Sequence, residues 1–311
     1  MTQSLPLSIV VAVTDVHGMA PRDALPDWFA ALVREAKTVH AELLLAGDPG
    51  SSMAQLVAAA EMNGVSLHLI SAPAASLTPQ LWGLGLHAAR GAVVAFTINQ
   101  CTVQDGWACA LLAGIAHGDA GVGGPLLLAL DTSRTGRAIY FLRYAAFLGQ
   151  TSGARQEVRD IAGDNAAYRR DVLMRYGTYA HGFWEIEAHH WLRADGATLA
   201  LVPGMSAAFG GSPRLLPFMR QRFAHGRHFG AWRVRAGGRK AWQIALVSPL
   251  VPFVLLLRTA RRVAGVPGNL FRLAGCAGPF LALAAAWAAG EAAGALVANS
   301  ASDHEGVLSA N

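Results

Sequence analysis

Charge is scarce in this chain. Asp, Glu, Lys and Arg make up only 14% of it, against about a quarter in ordinary soluble proteins, while 53% is hydrophobic. That balance implies that part of the chain meets lipid. Acidic residues are missing altogether from Gly196 to Gly290, where twelve Arg or Lys occur, so the net charge of +5 is concentrated in one region and the remainder is acidic. A segment of this kind suits an anionic membrane face or a polyphosphate ligand. No nucleic-acid partner is expected, because the basic residues lead into apolar runs and no fingerprint of a nucleic-acid module is present. Cysteine is also sparse. Cys101, Cys109 and Cys276 are odd in number and lack CxxC or zinc-ligand spacing, which argues against a disulfide framework and for a reducing compartment. The N-terminus has no basic n-region, and its apolar run Ile9 to Val13 is too short for a signal peptide, so the N-terminal domain is expected on the cytoplasmic side of a cell membrane.

What is present first is alternation. Ser8 to Thr14 is β-rich and almost wholly apolar, the pattern of a strand buried on both faces. Helical periodicity follows over Asp27 to His40, with apolar residues at Phe29, Leu32, Val33, Ala36 and Val39. A strand (Ala41 to Asp48), a helix (Met53 to Asn63), a strand (Val65 to Ser71), a helix (Pro79 to Arg90) and a strand (Ala92 to Thr97) come next. Such alternation predicts an α/β, doubly wound, mostly parallel sheet whose ligands sit beyond the carboxyl ends of the strands, where Thr14, Asp15, Asp48, Asn99 and Gln100 fall. Further helices are expected around Trp107 to Ala116 and Glu185 to Asp195, with a last strand at Thr198 to Val202. The sheet domain is expected to end near Pro213, giving a domain over residues 1–213.

Residues 214–240 read as a basic amphipathic segment, with Leu215, Leu216, Phe218, Met219 and Phe223 on its apolar side. Residues 241–298 hold two apolar stretches, and 299–311 form a polar tail. The first stretch, Ala241 to Leu257, contains Pro249 and Pro252; the second, Ala274 to Ala298, carries Glu291 among many Ala and Gly, which implies packing against a partner helix. Two spans, or one span with an interfacial element, both fit this pattern. Two spans would put Arg258, Arg261 and Arg262 opposite the basic stretch before Lys240, against the positive-inside tendency.

The residues richest in chemistry are Gly163-Asp164-Asn165-Ala166-Ala167-Tyr168-Arg169-Arg170, followed by Trp184-Glu185-Ile186-Glu187. Taken with Ser8 to Asp15, Leu43 to Ser51 and Gly85-Leu86-His87-Ala88-Ala89-Arg90-Gly91, they resemble, in order and over roughly residues 8 to 230, a membrane-associated family 2 glycosyltransferase of the GT-A nucleotide-diphospho-sugar transferase fold. By that resemblance Thr14, Asp15, Asp48, Asn99 and Gln100 meet the nucleotide, and Asp164, Asn165, Trp184 and Glu187 line the sugar and acceptor pocket. Glu185 falls on the family's catalytic carboxylate. Transfer with inversion needs a base beside the acceptor hydroxyl, and an apolar wall, here offered by Trp184 and Trp191, raises a carboxylate's pKa to suit. Without the family pattern, the Asn block reads as a loop with an Asx turn, and Glu185 as a residue stabilising a helix start.

The resemblance implies a nucleotide-diphosphate sugar as donor and a lipid-linked or envelope glycan as acceptor. It breaks at one point. The family's Asp-x-Asp motif, which holds a divalent cation (Mg or Mn) on the leaving diphosphate, falls on Ile98-Asn99-Gln100, where no carboxylate stands. Metal dependence is therefore left open, and Arg169, Arg170, Gln221 and Arg227 are the candidates to meet the phosphates. His189-His190 and His225-x-x-His228 do not offer a convergent ligand set, so no metal site is assigned. A member that keeps the fold without the chemistry, serving as a membrane binding or scaffold protein, is the alternative.

Overall fold

A computed structural model describes residues 5–14, 25–48, 51–148, 153–177, 179, 181–237 and 240–308. The chain divides into two compact units, Met1–Asp131 with Phe147–Gly211, and Thr132–Ala146 with Ser212–Asn311.

The first unit follows the alternation read from the sequence. It begins β1 (Leu7–Val13), α1 (Asp27–Thr38), β2 (Glu42–Gly47), α2 (Ser51–Met62), β3 (Leu67–Ser71), α3 (Thr78–Ala88) and β4 (Val93–Ile98). It continues with β5 (Cys101–Val103), α4 (Trp107–Ala116), β6 (Gly121–Gly123) and β7 (Leu126–Leu128). In the second unit lies α5 (Arg134–Tyr144), after which the chain returns for β8 (Gln156–Val158), β9 (Asn165–Arg169), α6 (Arg170–Leu173), α7 (Glu185–Ala194), β10 (Leu199–Leu201) and β11 (Ala207–Phe209). Eight strands form one sheet in the order β3-β2-β1-β4-β9-β6-β10-β8. Its pairs are parallel except those made by β9 and β8, so the sheet is mostly parallel, as expected. Strands β1, β2 and β4 are buried almost end to end, which is why they read as continuous apolar runs. A separate three-stranded sheet, β5-β11-β7, has no counterpart in the sequence reading.

Two features of this unit differ from a reading of the bare sequence. The Asn-Ala-Ala-Tyr-Arg run is a strand: β9 inserts antiparallel between β4 and β6, with Asn165 opposite Thr97 and Arg169 opposite Val93. Burial of Ala166, Ala167 and Tyr168 decides this over an Asx turn. Arg90, in the Ala-Arg-Gly run, serves the far end of the sheet. Its Nε and Nη2 donate to Glu42 Oε2 at 2.9 and 2.6 Å, while Ser8 Oγ donates to Glu42 Oε1 at 2.6 Å. Burial works to raise the Glu42 carboxyl, but the hydrogen bonds from Ser8 and Arg90 and the Arg90 charge together hold it below its ordinary range.

The second unit is helical. Besides α5 it contains α8 (Leu215–Arg235), α9 (Ala241–Val247), α10 (Val251–Val263), α11 (Asn269–Ala274) and α12 (Ala277–Leu308), and α9 joins α10 through a short 3-10 turn at Ser248–Leu250. Its helical backbone runs on through 299–308, the segment read as a tail. Two stretches, Ala241–Val263 and Ala277–Ala298, are long and apolar enough to cross a membrane, with 23 and 22 residues.

Candidate active site

The sheet order reverses direction between β1 and β4, since β2 and β3 are laid down on one side of β1 and β4 on the other. In open α/β sheets the crevice outside the carboxyl ends at such a point is the natural ligand site, because the connections leave it on opposite faces. A cleft of about 410 Å³ opens there, within the usual range for small-molecule pockets. Val13, Asn99 and Gln100 form its floor, and Asp27, Trp28 and Asp131 are among its walls.

At the floor the amides knit two strand ends together. The Thr14 backbone N–H donates to Asn99 Oδ1 at 3.3 Å, Asn99 Nδ2 returns a bond to the Thr14 carbonyl at 3.4 Å, and Gln100 Nε2 donates to Thr14 Oγ1 at 3.4 Å and to Asn99 Oδ1. These carboxamides hold the cleft's shape. They do not suit a divalent cation: Asn99 spends its oxygen on protein donors, and no group of three His, Cys, Asp or Glu converges anywhere among the described residues. Asp48 ends exposed beyond β2, outside the residues lining the cleft, and Asp15 lies outside the described residues. Asp27, Trp28 and Asp131 were missed by the sequence reading. Asp27 and Trp28 stand at a helix start, where they read as capping and packing, and Asp131 follows a strand too short to be recognised.

The Gly163 block and the Glu185 block, which are distant in sequence, meet in the fold. A Cβ built on Gly163 would lie 3.3 Å from the Glu185 carboxyl carbon and 2.9 Å from the Trp82 ring, so only glycine leaves room for that carboxylate against that indole. Trp82 is 1% exposed and donates from Nε1 to the Thr97 carbonyl at 2.9 Å, which ties this contact to the end of β4. The apolar wall beside Glu185 thus includes Trp82, which the spacing of the motif does not reveal. Trp191 is 46% exposed, and Trp184 turns its Nε1 to the His181 carbonyl at 3.2 Å. Glu185 opens α7, where the helix dipole favours its charge, and Glu187 lies half-buried one position beyond Ile186.

Asp164 is buried beside the same glycine. Asn165 is a strut: its Oδ1 accepts from Trp107 Nε1 at 2.7 Å, and its Nδ2 donates to the carbonyls of Met205 and Pro125 at 2.8 and 3.2 Å. It binds the starts of α4, β7 and β11 to the central sheet. Behind it, the buried Tyr168 hydroxyl bonds His189 Nε2 at 2.7 Å, and His189 Nδ1 faces Asp160 at 3.3 Å. That hydroxyl is pushed far above its ordinary range, chiefly by burial and then by the charge of Glu185. His189 is accordingly spent on hydrogen bonding.

The phosphate candidates disperse. Antiparallel pairing carries Arg169 to the start of β4, about 20 Å along the strand from Asn99 at roughly 3.3 Å per residue. There Arg169 pairs with Asp171 at 2.8 Å, and the neighbouring Arg170 opens α6 at that same end. The direction of the strand thus takes these two away from the switch-point cleft, where the sequence placed them as phosphate contacts. Gln221 and Arg227 belong to α8 in the helical unit.

No family model and no curated protein matches this chain. Among solved structures it is similar to GalNAc-T7 with UDP, GalNAc and Mn2+, at 15% identity and a TM-score of 0.47 over 71% of this chain and 47% of that one. It is also similar to S. aureus TarS 1-349, at 11% identity and a TM-score of 0.49, and to the same protein in complex with UDP, at 10% and 0.47, each over 89% of both chains. The chain spans about half the length of the GalNAc-T7 chain that it matches.

Proposed function

We propose that this protein is a membrane-associated GT-A glycosyltransferase of the family 2 type, moving a sugar with inversion from a nucleotide-diphosphate donor to a lipid-linked or envelope glycan acceptor on the cytoplasmic side of the cell membrane. The observation that carries the reading is the meeting of Gly163 and Glu185 against Trp82, beside the strand end where a sheet of this order takes its ligand. In this reading the nucleoside enters the switch-point cleft. Trp28 offers a stacking face to the base, Asp27 and Asp131 accept from ribose hydroxyls or base N–H groups, and Asn99 and Gln100 fix the floor. Asp15 keeps the nucleotide contact that the resemblance gives it, whereas Asp48, outside the residues lining the cleft, is given none here.

Glu185 is the base. Its carboxylate takes the proton of the acceptor hydroxyl as the oxygen attacks the anomeric carbon, and the bond from that carbon to the diphosphate breaks with the electron pair leaving on the phosphate. Asp164, Trp184 and Glu187 orient sugar and acceptor around it, and Asn165 acts through the backbone that it ties down.

The amides at Asn99 and Gln100 favour a second reading, a non-catalytic protein that keeps this fold and serves as a membrane binding or scaffold protein. Calorimetry with uridine and guanosine diphosphate sugars, with and without manganese, followed by turnover assays of wild type and Glu185→Gln, tests both. Binding with turnover lost in Glu185→Gln supports the enzyme; no turnover in wild type, and above all no binding of any donor, overturns the enzyme and supports the second reading.

A further inference from the structure

The two apolar stretches of the helical unit satisfy length and composition for crossing a membrane, yet the neighbour of one of them forbids it. Gly290 and Gly294 of α12 face the carbonyls of Phe223 and Arg227 on α8, which lie 2.1 and 1.9 Å from where a Cβ would stand. Gly226 and Gly230 of α8 face the carbonyls of Trp287 and Glu291 at 2.1 and 2.0 Å. Each step of four along α8 is matched by a step of four along α12, so the two helices run parallel with their backbones touching. Whatever depth the middle of α12 occupies, α8 occupies too. Along that depth α8 carries Arg220, Arg222, Arg227 and Arg233, of which Arg220 and Arg227 are exposed, and α12 itself carries Glu291, buried and paired with Arg233. One paired charge is tolerable in hydrocarbon; exposed arginines at 220, 227 and 235, spaced along the helix, are not.

Lipid contact falls elsewhere. Ser248 Oγ donates to the Ala288 carbonyl at 2.8 Å, and Ala241 and Ile244 pack with Ala295, so α9 and α10 run antiparallel to α12 with one face against it. Their outer face is a stripe of large apolar side chains at helical spacing: Trp242, Leu246, Leu250, Phe253 and Leu257, exposed by 58, 70, 63, 63 and 54%. Phe271, on α11 packed against α10, is 88% exposed. The stripe ends in Arg258, Arg261 and Arg262, all exposed, and no Asp or Glu lies between Gly196 and Gly290 to offset them. Apolar side chains on one face, a tryptophan at one end and arginines free to snorkel at the other match the boundary of an anionic bilayer.

We propose that the helical unit is a monotopic anchor: the α9–α10 stripe and Phe271 lie in one leaflet of an anionic membrane, and no segment crosses. This rests on the membrane reading above and specifies its geometry. It also removes a conflict in the sequence, since with no crossing segment the arginines at 258, 261 and 262 stay on the same side as those of α8.

The test uses the full chain with Cys109→Ser, because Cys109 is the exposed thiol while Cys101 and Cys276 are buried. Gly265→Cys is added in the turn after α10, where a side chain meets nothing within 4 Å. The protein is mixed with phosphatidylcholine vesicles with or without phosphatidylglycerol. Expected are flotation with the anionic vesicles, release by alkaline carbonate, and labelling of Gly265→Cys by an impermeant maleimide added outside. Replacing two exposed residues, Phe253→Ser with Phe271→Ser, lowers vesicle partition by about tenfold or more without unfolding the unit. Carbonate resistance with Gly265→Cys protected means that the hairpin crosses, which overturns the monotopic geometry and leaves the membrane reading standing. Failure to float with either vesicle overturns both, while donor binding by the sheet unit is judged separately by calorimetry.

Discussion

The two units of this chain solve opposite problems with opposite charge. The sheet unit holds 17 of the 20 acidic residues and 10 of the 25 basic ones, whereas the helical unit holds 15 basic residues and 3 acidic ones. In the sheet unit buried polar groups are locked in pairs, Glu42 with Arg90, Asp119 with Arg155, and Asn165 with an indole and two carbonyls. Such locking fixes strand ends and builds a defined cleft, as positioning a reaction demands. The helical unit instead brings α8 and α12 together on glycines and leaves apolar side chains and arginines outward. On the proposed reading, precision belongs to one unit and adhesion to the other.

If that division holds, changes in one unit leave the property of the other intact. The largest effect is expected from Glu185→Gln, which removes the proposed base and lowers sugar transfer by about 10²–10⁴-fold while donor affinity and vesicle flotation stay unchanged. Rates equal to wild type would strip Glu185 of its role. Next comes Gly290→Leu. Its side chain meets the Phe223 carbonyl, so α8 and α12 must part, at a cost of about 3 kcal/mol or more to the helical unit. Calorimetric melting should show an early helical transition with the sheet transition in place; a joint fall would break the comparison.

Arg90→Ala comes third, at about 2 kcal/mol of sheet-unit stability. That is below the usual figure for breaking a buried pair because the arginine itself is 63% exposed. The sign of its pH dependence follows from Glu42. Its folded carboxyl is held below the ordinary value of 4.5, so the stabilisation is present above that pH and is lost as acid takes the solution down through the folded value. Denaturant midpoints of wild type and variant should therefore differ at neutral pH and converge in acid. Smallest is Trp28→Ala, expected to weaken donor binding about tenfold by titration without altering stability elsewhere; no change would move the base away from that wall of the cleft.

The sequence by itself determined the alternation of the sheet unit, because fully buried parallel strands must be apolar from end to end and the helices between them must show a 3.6-residue period. Leu7–Val13, Glu42–Gly47 and Val93–Ile98 are legible for that reason, as are the acid-free basic region and the prominence of Glu185. Only the tertiary structure decided the direction of β9, since an apolar run does not state which way it pairs, and that direction put Asn165 at the site's edge and Arg169 at the far end. The tertiary structure alone also brought Trp82 to Glu185, placed Trp28 and Asp131 in one cleft, and set the arginine-bearing α8 against the long apolar α12. Composition records what a segment could enter; what it can enter as folded depends on the neighbour whose backbone it touches.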